Sequence, residues 1–160
     1  MRFVSTRGAS PALPFGAALG AGLAPDGGLY VPERLPRFSA DDLAALPDAP
    51  LADTLAALLR PLLGDDPLAR RLDALCAEAA SFDIPLVPLR SPGDHLLELF
   101  HGPTAAFKDL AARFLAASLS ALRAADAPVQ TVLVATSGDT GAAVGAAFHG
   151  REGFRVLILY

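Results

Sequence analysis

The stretch TVLVATSGDTGAAVGAAFHGREGFRVLILY, Thr131 to Tyr160, decides the fold. TVLVAT is apolar at nearly every position, the pattern of a strand covered on both faces, and it runs into a glycine-bearing turn. GAAVGAAFHG then reads as a helix and FRVLILY as a second apolar strand. Strand, helix and strand in this order make a βαβ unit, with the two strands parallel and the helix laid on the sheet. Upstream, FKDLAARFLAASLSALRA reads as a helix that starts near Ala106, and LLELF, from Leu96, as a short apolar strand. The class is therefore α/β, with the start of a parallel sheet of three strands covered on both faces. FRVLILY would leave an apolar edge at Tyr160, so the sheet reads as cut short.

The segment FDIPLVPLRSPGD is a proline-rich connector without helical periodicity, which places a boundary between residues 1–81 and 82–160. The first part is a small helical lobe with short strands. A strand is expected around Arg2 to Ser5, a helix from Pro14 to near Gly20, and an extended run at GGLYVP. Ser39 with Asp42 three residues on has the form of a capping box, and Asp53 opens the apolar run TLAALLRPLL. Asp65, Asp66 and Pro67 restart a helix in which Leu68, Leu72, Leu75 and Ala79 share one face.

Two turns concentrate the chemistry. In ELFHGPTAAFKDL, a strand end passes through His101, Gly102, Pro103 and Thr104 to a helix start that carries Lys108. Loops at the C-terminal ends of parallel strands are where open α/β sheets bind ligands. Burial against Phe107 and the positive end of a helix both favour a neutral, nucleophilic amine, while Asp109 opposes them in charge and suits the helix start. In ATSGDTGAAVGAAF, the residues Ser137, Gly138, Asp139, Thr140 and Gly141 gather backbone N–H groups and two hydroxyls around one point, as an anion site does. The pattern is neither a P-loop nor GxGxxG. Taken alone, the residues equally describe a solvated surface lysine and a well-capped helix.

Composition narrows the classes further. The hydrophobic fraction of 52 % suits a folded core, and a net charge of -4 without a basic run argues against nucleic acid as a partner. Cys76 stands alone on an apolar helical run and reads as packing, in keeping with a reducing cytoplasm. No run of 18 apolar residues predicts a membrane span, and MRFVSTRGASP lacks the apolar core of a secretory signal. The pairs Asp41/Asp42 and Asp65/Asp66 read as helix N-terminal charges rather than metal ligands, and His95 and His149 as groups at element edges, so no metal site is expected.

Four blocks, FVSTRG, GLAPDGGLYVP (Gly22 to Pro32), ELFHGPTAAFKD and LVATSGDTGAAV, occur here in the order and spacing of the threonine synthases, and the chain resembles that family along its whole length. The resemblance implies the N-terminal portion of a fold-type-II pyridoxal-phosphate enzyme, similar to the tryptophan synthase β family. It implies that Lys108 is catalytic and holds pyridoxal 5'-phosphate, that Asp139 lies against the cofactor, and that Ser137, Gly138, Asp139 and Thr140 bind the substrate carboxylate. Ala105 stands where the family commonly has leucine and Ala142 where it has serine, which removes one hydroxyl contact. The implied reaction converts O-phospho-L-homoserine and water to L-threonine and phosphate. The family's Gly/Asn-rich loop for the cofactor phosphate has no counterpart in these residues, so the chain alone is expected to be inactive. A non-catalytic fragment and a related phospho-lyase acting on another amino-acid phosphate are the alternatives. A nucleotide-binding domain is disfavoured, since the Walker lysine and an acidic ribose partner are both missing.

Overall fold

The computed structural model describes residues 1–46 and 49–160, which cluster into two compact units, Met1–Cys76 and Ala77–Tyr160. In the first unit, β1 (Phe3–Ser5) pairs antiparallel with β2 (Tyr30–Pro32), and Phe3 packs edge-on against Phe15 at the start of α1 (Phe15–Ala21). The chain between them turns on Asp26. Its carboxylate accepts the Ser5 hydroxyl at 2.7 Å and the N–H groups of Gly28 and Ala9, both at 2.9 Å. The Ser5 bond is the main cause holding the Asp26 carboxyl down, from 3.8 to about 2. Gly28 has to be glycine, because a Cβ there would lie 2.2 Å from Ser5 Oγ. GGLYVP is thus an extended segment with its glycines in the preceding turn.

The helical part of this unit follows the sequence signals closely. α2 (Ala40–Ala44) starts on the capping box of Ser39 and Asp42, and α3 (Leu51–Leu63) has Asp53 in its first turn. Asp66 opens a 3-10 turn (Pro67–Arg71) that leads into α4 (Leu72–Ala79). Asp66 does more than cap: nearly buried, it accepts the Leu68 N–H at 3.0 Å and the Gly16 N–H at 2.8 Å, which ties the first turn of α1 to the 3-10 turn. Leu63, Leu68, Leu72 and Leu75 are buried, each contributing roughly 1.5–3 kcal/mol relative to exposure. Cys76 is buried with them, and desolvation pushes its thiol up to about 11, so it behaves as packing.

In the second unit, β3 (Leu86–Pro88) and β4 (His95–Leu97) form an antiparallel hairpin, followed by α5 (Asp109–Leu122), β5 (Gln130–Ala135), α6 (Asp139–Phe148) and β6 (Phe154–Leu159). β5 and β6 are parallel, in register from Gln130 opposite Phe154 to Ala135 opposite Leu159. The βαβ unit is as read from the sequence, but LLELF does not join it. Among the described residues the parallel sheet has two strands, because Leu96 and Leu97 pair instead with Val87 and Leu86 across a turn at Gly93. An apolar run does not encode its partner, and the proline-rich connector supplied one close at hand. Likewise α5 begins at Asp109 and not near Ala106.

The sheet is covered on one face only within the unit. Ala112 and Ala116 of α5 meet Ala143, Ala147 and Phe148 of α6 in a core joined by Val132 and Val156 of the strands. Small residues let the two helices approach closely, and Gly141 lets α6 approach the sheet, since a Cβ there would lie 2.9 Å from Ile158 Cγ2. The opposite face exposes Leu133, Leu157 and Leu159. Among the described residues no helix is long and apolar enough to cross a membrane.

Candidate active site

Lys108 is the N-cap of α5, in right-handed helical conformation and partly buried. Its Nζ stands 4.2 Å above the centre of the Phe107 ring. That ring is itself 62 % exposed, so it offers a face to the amine rather than burying it, contrary to the sequence expectation. Among the described residues no ion pair engages Lys108. Asp109 turns the other way: it is 1 % exposed and accepts the Thr104 N–H at 2.9 Å and the Thr104 hydroxyl at 2.6 Å. A Cβ at Gly102 would lie 2.5 Å from Asp109 Oδ2, and Ala105, between them, has a positive φ of 57°. Just upstream His101 Nε2 lies 2.6 Å from Glu98 Oε2, its ring tilted against Phe100.

The second helix start is built differently. β5 hands over at Thr136, whose N–H donates to Leu159 O at 3.0 Å and whose hydroxyl accepts the Gly138 N–H at 3.2 Å. Gly138 is the N-cap of α6 and makes no side-chain cap; Ser137 and Asp139 are exposed, while Gly138 and Thr140 are partly buried. The N–H groups of the first helical turn have no intrahelical carbonyl to bind. Asp139, Thr140 and Gly141 therefore form an open helix N-terminus, a place for an anionic group.

The fold brings these two starts to one end of the unit. β5 and β6 are parallel, so α6, which connects them, runs back against the strands. At its far end Arg151 reaches Ser120 of α5 at 3.4 Å, and Arg123, at the end of α5, reaches Gly153 O just before β6. The C-termini of α5 and α6 thus lie together where the strands begin. Both helices run in the same direction, and both N-termini, with Lys108 and with Gly138 to Gly141, lie where β5 ends. The sequence marks Asp109 only as a helix-start charge and Thr104 only as a turn residue. Their pairing has no periodic signal, only a threonine five residues before an aspartate. Among the described residues no group of three or more His, Cys, Asp or Glu is placed to hold a metal ion.

Residues 2–80 match the family described as the threonine synthase N terminus. The threonine synthase of Methylobacillus glycogenes is 39 % identical over 171 residues, an alignment covering 99 % of this chain and 36 % of that protein. Among solved structures, the pyridoxal-phosphate-bound threonine synthase from Brucella melitensis superposes with a TM-score of 0.89 at 41 % identity, over 99 % of this chain and 35 % of that one. The threonine synthase of Escherichia coli superposes with a TM-score of 0.90 at 35 % identity, over 100 % of this chain and 37 % of that one. The chain thus spans little more than a third of the length of these relatives. Similar in sequence from end to end and in fold throughout, it belongs to the threonine synthase family and corresponds to that family's N-terminal portion.

Proposed function

We propose that the natural protein carrying this sequence is a cytoplasmic, pyridoxal-phosphate-dependent lyase that converts O-phospho-L-homoserine and water to L-threonine and phosphate. Residues 1–81 would be its N-terminal domain and residues 82–160 the beginning of its cofactor-binding α/β domain. The observation that carries this reading is the shared end of α5 and α6: one start presents an amine, Lys108, and the other the open N–H groups of Asp139, Thr140 and Gly141. The residues fit the cofactor in kind. Lys108 has no ion-pair partner among the described residues and is free to bond an aldehyde, and the start of α6 would receive the carboxylate of a substrate.

When bound, pyridoxal phosphate supplies an electron sink conjugated to the α carbon of the amino-acid substrate. Lys108 would hold the cofactor and, once released from it, carry protons to and from the α and β carbons. The turn of Ser137, Gly138, Asp139 and Thr140 would bind the substrate carboxylate, which turns the α C–H toward the amine and fixes one reactive orientation. Asp139, at the same turn, would lie against the cofactor. With the turn at Ser137 to Gly141 assigned to the substrate carboxylate, the cofactor's phosphate dianion would still need several converging donors to replace its hydration. Expressed alone they are expected to bind the cofactor weakly and to release no phosphate from O-phosphohomoserine.

Lysine occurs once in the sequence, which makes the test clean. The natural protein is incubated with pyridoxal phosphate, reduced with borohydride and mapped by mass spectrometry, with phosphate release from O-phosphohomoserine followed in parallel. The expected result is a pyridoxyl group on Lys108, with label and turnover both lost in Lys108→Ala. A label only on the Met1 amine or on a residue outside this sequence, or full turnover in Lys108→Ala, would sink the proposal.

A further inference from the structure

We infer that Asp109 is a positioning residue for Lys108, acting through Thr104 to hold the loop from Gly102 to Lys108 in the one shape that presents the amine. The inference rests on the proposed role of Lys108 and deepens it. The geometry leaves little freedom. The buried carboxylate grips Thr104 twice, through its N–H at 2.9 Å and its hydroxyl at 2.6 Å. Gly102 is packed on that carboxylate so tightly that a Cβ would come within 2.5 Å of Oδ2 and 2.8 Å of Asp109 Cβ. Between the gripped residue and the helix, Ala105 is held at φ 57°, a left-handed conformation that a residue with a Cβ adopts at a cost and that persists only where its surroundings impose it.

An acidic residue at the first position of a helix ordinarily faces solvent or the helix N–H groups and competes for any nearby cation. Asp109 instead spends both oxygens on the loop, and among the described residues no ion pair joins it to Lys108. The arrangement keeps a carboxylate next in sequence to the amine without pairing the two. It also stiffens the residues that precede Lys108, so the direction of the side chain is set before any ligand arrives.

The test compares Asp109→Ala, Asp109→Asn and Thr104→Val in the natural protein, reading pyridoxal-phosphate labelling of Lys108 after borohydride alongside thermal unfolding. An asparagine keeps an acceptor for the Thr104 N–H and can donate to the Thr104 oxygen, so the grip survives without the charge. Asp109→Ala is expected to lower the labelling rate by about tenfold or more, Thr104→Val by less, and Asp109→Asn to label close to the wild-type rate. If Asp109→Ala does not fold, Thr104→Val, which keeps the carboxylate and one of its bonds, carries the test alone. Wild-type labelling in a folded Asp109→Ala, or in Thr104→Val where that variant stands alone, overturns the inference. So does an Asp109→Asn that melts normally yet labels as poorly as the alanine variant, since charge and not grip would then matter. A wild-type protein that is not labelled at Lys108 overturns the functional proposal and this inference with it; labelled wild type with labelled Asp109→Ala removes the inference alone.

Discussion

The starts of α5 and α6 lie at the same end of the same unit, and each has an aspartate as its first helical residue, yet they are opposites. Asp109 is buried and committed to Thr104, while Asp139 is exposed beyond an uncapped Gly138. Neither helix has a side-chain cap; the first has its preceding loop tied to the helix's own aspartate, with Lys108 between them, and the second has no such tie. In the proposed function, the tied turn fixes where Lys108 stands and the untied one receives the substrate. Residue type and helix position do not distinguish them. The direction of the carboxylate does, and the loop before the helix sets it.

The strongest way to break this contrast is to disturb the packing beneath the open start. Gly141→Ala would place a Cβ 2.6 Å from Thr136 Cγ2 and 2.9 Å from Ile158 Cγ2. Both atoms belong to the βαβ frame, so overpacking is expected to cost about 1–3 kcal/mol. A thermal or urea melt would read this, and a variant as stable as the wild type would show that α6 can shift off the sheet without penalty.

Asp139→Ala sharpens the contrast on the functional side. The residue is exposed and makes no side-chain cap, so the change should remove about 0.3–1 kcal/mol of helix-dipole stabilisation at most. Turnover of O-phosphohomoserine by the natural protein should fall by more than that energy accounts for. Parallel loss of stability and activity, measured by melting and by kcat/KM, would instead make Asp139 an ordinary helix-start charge.

The smallest effect is expected at a third aspartate turn, in the other unit, where no ligand role is proposed. Asp26 is held near 2 first by the Ser5 hydroxyl and further by the N–H groups of Gly28 and Ala9. Its pKa is lower folded than unfolded, so the stabilisation is complete above the ordinary value of 3.8 and is lost as pH falls toward about 2. Ser5→Ala should bring the Asp26 carboxyl back toward its ordinary value and start acid unfolding at a higher pH in a circular-dichroism titration. Superimposed acid transitions for variant and wild type would show that the turn does not depend on this bond.

Much of the chain was readable because its signals are local. Ser39 and Asp42 form their capping box within four residues, and Leu68, Leu72, Leu75 and Ala79 share a buried face because helical spacing alone aligns them. LLELF does contribute Leu96 and Leu97 to a strand, but its partner is not legible for the converse reason: its apolar residues fit a parallel neighbour or a hairpin equally well. Continuous apolarity in β5 and β6 suggested cover on both faces, whereas Leu133, Leu157 and Leu159 are exposed, because nothing in the described unit packs on that side.

The sequence by itself determined the βαβ order, the single lysine, the open glycine-bearing turn and the family resemblance, since each depends on residue identity and short spacing. Tertiary structure alone decided that α5 and α6 run in the same direction, so that Lys108 and the Gly138 turn share one end. It also decided that Asp109 faces Thr104 rather than the amine beside it. Both outcomes rest on contacts between distant residues or on loop torsions, such as Arg123 with Gly153 and the left-handed Ala105, and neither leaves a periodic trace in the chain.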